Sequence, residues 1–343
     1  MKLELERRTL RLARPLETSY GEVRERALAI VALTDEEGCS GYGEAAPLPD
    51  YDGPDMETVL AALERYEQVL ADGDGDDAAR VIDRCRRVAD LPAALAAVEM
   101  ALWDRAGKRA GKPLAELLTD TPAASVAVNA TIFSLDRAGA AEEAAAAARA
   151  GFPCLKVKVG VQDDAGRVAA VRAAAGPEIA LRLDANGAWD VEHAVRAIEA
   201  LAPAGPELVE EPTHGIAAIR EVRERVTARI AIDETAGERG ALGAGVADAV
   251  CLKVSRCGGI GALLAAASLV RASGAEVYVA STLDGPLGVA AALQAASALA
   301  SRGQLPPCGL ATLAMFDGLE DPLPARGGEI ALPAKPGLGV EPP

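Results

Sequence analysis

Several residue types are scarce in this sequence, and each scarcity disfavours a class of protein. The 343 residues include only two histidines, and aromatic residues make up 3% of the chain. A histidine-rich metal site and a Ser-His-Asp triad are therefore disfavoured. The six cysteines form no CxxC pair, and several lie in apolar contexts, where free cysteine packs as a small hydrophobic residue. We therefore expect a reduced, cytoplasmic protein.

Positive charge and long apolar runs are scarce as well. The formal net charge is -16 and the sequence pI is about 4.7, which disfavours nucleic acids and anionic membranes as partners, because both need a basic surface. No apolar run reaches the roughly 18 residues of a membrane span. The charged start, MKLELERRTL, lacks the apolar core of a signal peptide. An anionic small molecule would bind such a protein only through a metal or a lysine cluster.

Lysine is the scarce basic residue, and its placement is informative. Seven of the 35 basic residues are lysines, and three of them, Lys156, Lys158 and Lys253, lie in apolar, β-like runs. Arginine is always protonated, whereas a buried lysine can lose its proton. Lys156 and Lys158 would share one face of a strand, where burial and like charge would lower their pKa toward that of a base. The same spacing is also typical of two surface lysines on an edge strand.

The order of the sequence patterns predicts two domains. Three strand-like runs precede three helical patterns, at 3–12, 27–34, 40–44, 55–70, 76–89 and 92–110. Strands followed by helices predict an α+β domain over residues 1–120. The tail, 321–343, contains one strand-like piece at 329–332, and we expect it to pack on this first domain.

Residues 121–320 show the βα period of a barrel. Short apolar runs alternate with alanine-rich helical patterns, at 125–132, 154–160, 180–186, 207–212, 229–234, 249–254 and 276–282, with a weak eighth run at 308–310. They predict a modified TIM barrel, (β/α)7β, with its active site at the C-terminal ends of the strands. No GxGxxG follows the first strand, so an open dinucleotide-binding sheet has little support.

Three successive runs of the predicted barrel end in carboxylates: Asp184, Glu210 and Asp233. One carboxylate after a strand is as easily explained as a helix N-cap. Three that converge on one mouth repel one another unless a divalent cation lies between them, and Mg²⁺ prefers oxygen ligands. With Lys158 and Lys253 on either side, the arrangement suits removal of a proton α to a carboxylate, with the cation stabilising the enediolate.

The residues around these positions resemble the muconate-lactonizing subgroup of the enolase superfamily. The resemblance is carried by Lys156 to Lys158, by 183–186 (LDAN), 209–212 (VEEP), 232–234 (IDE) and 252–253 (LK), and by the glycines at 258–259. It implies a capping α+β domain over the barrel, Lys158 and Lys253 as acid/base residues with Lys156 assisting, and Asp184, Glu210 and Asp233 as ligands of Mg²⁺, which Mn²⁺ could replace. It also implies supporting roles for Asn186, Glu211 and Glu234.

Within the subgroup, two activities stay open. The 43–49 segment (GEAAPLP) most resembles o-succinylbenzoate synthases, which implies dehydration of a cyclohexadiene carboxylate in menaquinone synthesis. The 253–259 segment, which includes Arg256, also resembles the branch with N-acylamino acid racemases, so a racemase, epimerase or cycloisomerase is the alternative. Dipeptide epimerases usually carry Asp-x-Asp after the last strand, and 308–313 has none.

The resemblance implies a small carboxylate as the substrate and adds substrate contacts, which we expect at Ser19, Tyr20, Tyr51, Arg256, Ser281, Thr282 and Asp284. At Asp284 relatives often carry glutamate. Two other hypotheses remain: a metal-free Schiff base at Lys253, and a binding protein without catalysis. The three lysines retained in a lysine-poor chain speak against the second. A homo-oligomer is compatible with the sequence, which does not define the number of subunits.

Overall fold

A three-stranded antiparallel sheet begins the fold. The computed structural model describes residues 1–18 and 21–343, and in that part the strands are β1 (Lys2–Thr18), β2 (Gly21–Thr34) and β3 (Ser40–Ala45). They lie in the order β1-β2-β3. The predicted strands are therefore present, and β1 is longer than predicted because it continues past an irregularity between Arg11 and Leu16.

Helices follow this sheet in the chain, and the longest two of them pack against it. The helices are α1 (Pro49–Asp52), α2 (Met56–Ala71), α3 (Ala78–Val88), α4 (Pro92–Ala110) and the short α5 (Ala115–Leu118). Helix α4 starts at a proline and stops at Gly111 in the left-handed conformation, the usual end signals of a helix. It packs directly on β3 because Gly43 has no side chain: a Cβ there would meet the carbonyl of Ala97 and the Cβ of Met100.

The second part of the chain forms a curled parallel sheet. The strands that follow are β4 (Ser125–Ala127), β5 (Asn129–Ile132), β6 (Cys154–Lys158), β7 (Ala180–Asp184), β8 (Leu208–Glu210), β9 (Ile230–Ile232), β10 (Ala249–Leu252) and β11 (Glu276–Val279). Strands β5 to β11 lie side by side in chain order. Cys308 bridges to Val128 and Gly309 to Ala280, so these two residues join both edges of the sheet. The weak eighth run thus closes the predicted barrel.

Helices surround this barrel. They are α6 (Arg137–Arg149), α7 (Asp164–Ala175), α8 (Val191–Leu201), α9 (Ile216–Arg225), α10 (Val254–Cys257), α11 (Ile260–Ala272) and α12 (Pro286–Ala300), with 3-10 turns at Ala202–Ala204, Glu234–Gly237, Ala241–Gly243 and Leu313–Met315. Among the described residues, no helix combines the length and the apolar character needed to cross a membrane.

Two predicted barrel units differ in the structure. The run 125–132 is two strands, because the chain changes partner at Val128: β4 pairs with β12 (Glu329–Ala331), whereas the backbone N–H of Asn129 donates to Cys308 in the barrel. Between β9 and β10, residues 233–248 form only 3-10 turns in place of the expected helix. Glycine disfavours a helix by about 1 kcal/mol per residue, and this segment contains four.

The tail contacts the helices of the first part of the chain. The backbone N–H of Leu338 donates to Asp104 on α4 at 2.8 Å, and that of Leu114 donates to the carbonyl of Gly337, also at 2.8 Å. Buried apolar residues form two clusters, one between the antiparallel sheet and α2 to α4, and a larger one through the barrel and its helices. The mouth of the barrel faces α1.

Candidate active site

Lys156 and Lys158 lie on the same face of β6, as strand alternation requires. The Nζ atom of Lys156 is 2.9 Å from Oδ2 of Asp184 and 2.9 Å from Oε1 of Glu210. The Nζ atom of Lys158 is 2.5 Å from Oδ2 of Asp184 and 2.6 Å from Oδ1 of Asn186. Both ammonium groups therefore contact the predicted carboxylates.

The three carboxylates end three neighbouring strands. Lys158, Asp184 and Glu210 lie side by side in the register of β6, β7 and β8, and Asp233 directly follows β9. Asp184 and Glu210 are fully buried, and Asp233 is 4% exposed. The parallel order of the strands thus brings together at one mouth the acids that the sequence predicted there.

Lys253, directly after β10, completes the group from the other side. Its Nζ lies 2.5 Å from Oδ2 of Asp233 and also donates to the hydroxyl oxygen of Tyr51. The hydroxyl of Tyr51 donates to Oδ1 of Asp233 at 2.8 Å. Because Tyr51 is in α1, the first part of the chain reaches the mouth. In the sheet, β7, β8 and β9 separate β6, which carries Lys158, from β10, which Lys253 follows.

The carboxylates reverse the expected effect on the lysines. Burial lowers the pKa of Lys156, but Asp184 and Glu210 raise it more, so that it lies above its usual value. The pKa of Lys253 is raised in the same way, with burial opposed mainly by Asp233. The expectation of a lowered pKa was therefore wrong for Lys156 in this chain, because it considered burial and the neighbouring ammonium group and omitted the acids.

The acids respond differently to their surroundings. Burial raises the pKa of Asp184 and Asp233, but the neighbouring lysines lower it more, so both lie below their usual range. At Glu210 burial outweighs the effect of Lys156, and the pKa is raised. Its Oε2 lies 2.8 Å from the Nζ of Lys156 but accepts no directed hydrogen bond from the described residues. Such an under-used oxygen in a buried group of carboxylates fits a hard divalent cation.

Polar side chains behind the mouth hold these groups in place. The buried carboxylate of Glu211 accepts from the backbone N–H of Asp233 at 2.9 Å and from the N–H and hydroxyl of Thr235 at 3.0 and 2.5 Å. Asn186, which accepts from Lys158, donates its amide to Oε1 of Glu234 at 3.0 Å. The structure thus places Asn186, Glu211 and Glu234 where the sequence predicted supporting residues.

The predicted substrate contacts are only partly brought together. Tyr51, Ser281 and Thr282 line the pocket above the lysines. Arg256 and Asp284 are not among its described lining: the Arg256 guanidinium stacks on the ring of Tyr51 and donates to the carbonyl of Glu234. Oδ2 of Asp284 accepts from the N–H of Thr282 at 3.0 Å. Ser19 and Tyr20 lie outside the described residues.

Sequence reasoning missed part of the pocket wall. Asn129, Thr131 and Phe133 line it from β5 and the residue after its end. They are two residues apart and so share a face of the strand. The alternation could be read from the sequence. With β5 placed beside β6, which carries Lys156, it would have predicted that these residues line the pocket.

Comparison with protein families gives two matches that together cover most of the chain. Residues 3–119 match the mandelate racemase / muconate lactonizing enzyme N-terminal domain, and residues 139–343 match an enolase C-terminal domain-like family. A hydrophobic dipeptide epimerase of Enterococcus faecalis is 31% identical over 96% of both chains. The crystal structure of a dipeptide epimerase from Enterococcus faecalis, complexed with Mg and the dipeptide L-Leu-L-Tyr, matches this chain with a TM-score of 0.88 and 27% identity over 99% of both chains.

Two further relatives separate the activities that the sequence left open. Muconate cycloisomerase 1 of Rhodococcus opacus is 30% identical over 96% of this chain and 92% of its own. The o-succinylbenzoate synthase of Thermobifida fusca is 39% identical, but over only 59% of this chain and 65% of its own. Similarity over almost the whole chain is therefore to isomerases, and the isomerase alternative is better supported than the synthase that we expected first.

Proposed function

This chain belongs to the muconate-lactonizing subgroup of the enolase superfamily, and on that basis we propose that it is a divalent-cation-dependent isomerase. The proposed reaction inverts the configuration at the carbon α to a carboxylate. The observation that carries the proposal is the placement of Lys158 and Lys253. Both line one pocket, and the three strands that bear the buried acids lie between theirs. A substrate held above the acids would therefore have one amine on each side of its α-carbon.

The two lysines perform one proton transfer each. The neutral amine of Lys158 takes the α-proton, the C–H bond breaks, and its electron pair moves into the carboxylate to give an enediolate. The ammonium group of Lys253 then donates a proton to the opposite face of the same carbon. The product has the inverted configuration, and the two lysines exchange roles for the other stereoisomer.

Asp184, Glu210 and Asp233 would hold the cation, Mg²⁺ with Mn²⁺ as a substitute. When bound, the cation would compensate the charge that develops on the substrate carboxylate and the acidic charge that now raises the pKa values of Lys156 and Lys253. Lys156 holds Asp184 and Glu210 together from the barrel side. Asn186 orients the amine of Lys158, and Glu211 fixes the backbone at Asp233.

Exchange of the α-proton in deuterated water tests this function. With candidate substrates and Mg²⁺, we expect the native protein to incorporate deuterium and to interconvert the stereoisomers. Lys253→Ala should abolish interconversion while Lys158 still exchanges the α-proton of one stereoisomer, and Lys158→Ala should show the mirror-image result. Each loss should be at least about 100-fold. Proton NMR follows exchange, and chiral chromatography follows inversion.

The control is Lys2→Ala, since Lys2 is exposed and pairs with Glu4 far from the mouth. It should leave both rates unchanged, and removal of the cation with EDTA should stop both. Exchange that survives EDTA, or that neither lysine substitution affects, would contradict the proposal. Each variant should be shown to fold by circular dichroism.

A second candidate is dehydration to o-succinylbenzoate, which the Thermobifida fusca relative supports. Dehydration removes the α-proton and a hydroxide and returns no proton to that carbon. The cyclohexadiene carboxylate would then lose its absorbance in a Mg²⁺-dependent reaction that Lys158→Ala abolishes. Turnover of this compound at a higher kcat/KM than any racemisation would favour the synthase.

A further inference from the structure

The carbonyl of Lys158 lies where the sheet no longer supplies a donor for it. Strand β5 ends at Ile132, one residue before the position that would pair with Lys158. The N–H of Ser134, which would continue the parallel ladder to this carbonyl, donates instead to the carboxylate of Glu143 at 3.2 Å. A peptide carbonyl that is removed from water needs another donor in the protein.

Arg167 supplies that donor. It lies on α7, its side chain is fully buried, and its Nη2 donates to the carbonyl of Lys158 at 2.6 Å. The N–H of the same peptide unit, which belongs to Val159, donates to the carbonyl of Asp184 on β7 at 2.8 Å. Both sides of the peptide that follows Lys158 are therefore fixed, one by the sheet and the other by this guanidinium.

Asp164, one turn earlier on α7, aligns the guanidinium and holds the chain at a second point. Its Oδ1 accepts from Nη2 of Arg167 at 3.0 Å, and its Oδ2 accepts from the backbone N–H of Gly160 at 2.8 Å. Gly160 has a φ of +83°, which glycine adopts without strain. The pair on α7 thus binds the backbone where the chain turns away from the end of β6.

A buried guanidinium is a poor means of stabilising a fold. Removing its charge from water costs free energy that one carboxylate partner offsets only in part, and a well-packed apolar side chain often stabilises a protein equally well. An apolar side chain, however, cannot donate to a carbonyl. The planar guanidinium carries its N–H donors in a rigid fork, so Arg167 can bind Asp164 and the carbonyl of Lys158 in fixed directions.

Lys253 is held by different means. Helix α10 begins directly after it, and the carbonyl of Lys253 accepts from the N–H of Cys257 at 2.9 Å, as in the first turn of any helix. The described hydrogen bonds of Arg167 go to Ser134, Lys158 and Asp164, all on the other side of the mouth. A change at Arg167 therefore acts on one of the two lysines.

We infer that Arg167 is a positioning residue for Lys158: by fixing the peptide that follows this lysine, it holds the amine within reach of the α-proton on its side of the substrate. The inference rests on the proposed function and assigns a further residue to it. A misplacement of about 1 Å can cost roughly 100-fold in rate, so a loosened peptide should slow proton removal on this side alone. A group that only stabilises the fold would slow the exchange of both stereoisomers equally.

Deuterium exchange of paired stereoisomers separates these two roles. The probes are N-acetyl-L-leucine with N-acetyl-D-leucine, and L-Leu-L-Tyr with L-Leu-D-Tyr, with Mg²⁺ in deuterated water, and the pair that the native protein exchanges faster is used. Lys253→Ala identifies the stereoisomer whose α-proton Lys158 removes. We expect Arg167→Met to slow exchange of that stereoisomer at least about 10-fold, and of the other less than about twofold.

The matched control is Arg172→Met. Arg172 lies on the same helix and donates to the carbonyls of Ala204 and Ile179, both at 2.7 Å, at the opposite end of the strands. This variant should leave the ratio of the two exchange rates unchanged.

The outcomes distinguish the inference from the function on which it rests. If Arg167→Met is folded by circular dichroism and slows both stereoisomers equally, or neither, the inference is overturned and the proposed function stands. If that variant does not fold, Asp164→Ala decides: a lowered ratio supports the inference, and an unchanged ratio overturns it. No exchange of either pair by the native protein overturns the proposed function and the inference together.

Discussion

At the scale of single residues, Glu211 shows how a buried carboxylate fixes the backbone of Asp233, which we propose as a metal ligand. Its φ is +40°, a strained value for a residue other than glycine. In this conformation its carboxylate accepts hydrogen bonds from both Asp233 and Thr235. These hydrogen bonds therefore compensate the strain and fix the backbone at Asp233, one of the predicted ligands.

We expect Glu211→Gln to weaken cation binding about 10- to 100-fold, because an amide presents an N–H to donors that now meet only oxygen. Titration calorimetry with Mn²⁺ would measure the change. His214→Gln is the matched control, since the half-exposed imidazole contacts Oε1 of Glu211 from outside. Equal affinities in the native protein and in Glu211→Gln would show that the carboxylate does not position Asp233.

Lys156 should have a structural role that the cation can replace. It lies between Asp184 and Glu210, and Lys156→Met leaves two buried carboxylates facing each other with less compensation. Breaking such a group costs about 3–5 kcal/mol. We expect a lower Tm without cation and a larger rise on addition of Mg²⁺ than in the native protein. Identical Mg²⁺ responses would refute this, and Lys2→Met serves as the control.

At the scale of elements, the antiparallel sheet holds one wall of the pocket. Glu44 on β3 accepts from the N–H groups of Gly285 and Leu287 at 2.6 and 3.1 Å, which caps the start of α12. Arg26 on β2 donates to the carbonyl oxygen of Leu283, a lining residue, at 3.2 Å. Strand β3 in the first part of the chain thus caps the N-terminus of α12 in the second part.

This cap should make stability depend on pH. Burial, and then the nearby Asp284, raise the pKa of Glu44 from 4.5 to about 8, although three backbone N–H groups oppose the rise. Between these values the native state binds a proton that the unfolded state has lost, so this group destabilises the fold progressively as pH increases through the window. Glu44→Gln should flatten the decline between pH 5 and 8 in urea unfolding. Glu57 is on the exposed surface, and Glu57→Gln should leave the decline of stability with pH as in the native protein.

Sequence patterns could predict how consecutive strands of the barrel lie relative to one another. Asp184, Glu210 and Asp233 end consecutive runs, and the rule that parallel strands end at one edge brings them together without further information. The partner change at Val128 and the cap by Glu44 depend on residues more than 150 positions away, which local periodicity does not report. The four glycines after β9 disfavour a helix there, but the regular βα period of the other units led us to expect one.

At the scale of the whole molecule, Asp104 ties distant parts of the chain together. The fully buried carboxylate accepts from the N–H of Tyr42 at 2.9 Å and from that of Leu338 at 2.8 Å. It also pairs with Lys108 at 2.7 Å. One side chain on α4 therefore joins the antiparallel sheet and the tail.

Asp104→Ala should lower the free energy of unfolding by about 3 kcal/mol, because it leaves buried N–H groups without an acceptor. Asp90→Ala removes a carboxylate that is 72% exposed, and should change stability by less than about 0.5 kcal/mol. Guanidinium denaturation would measure both. Similar losses in the two variants would show that the tail gains no stability through Asp104.

The closure of the barrel by Cys308 and Gly309 also bears on how the protein is made. A ribosome delivers β5 through β11 first, and the free edges of β5 and β11 stay open to any other strand until residues 308–309 emerge. Neighbouring nascent chains on one messenger would carry the same open edges. Stalling before residue 308 should therefore give aggregating chains, whereas release beyond residue 309 should give chains whose sheet is sealed.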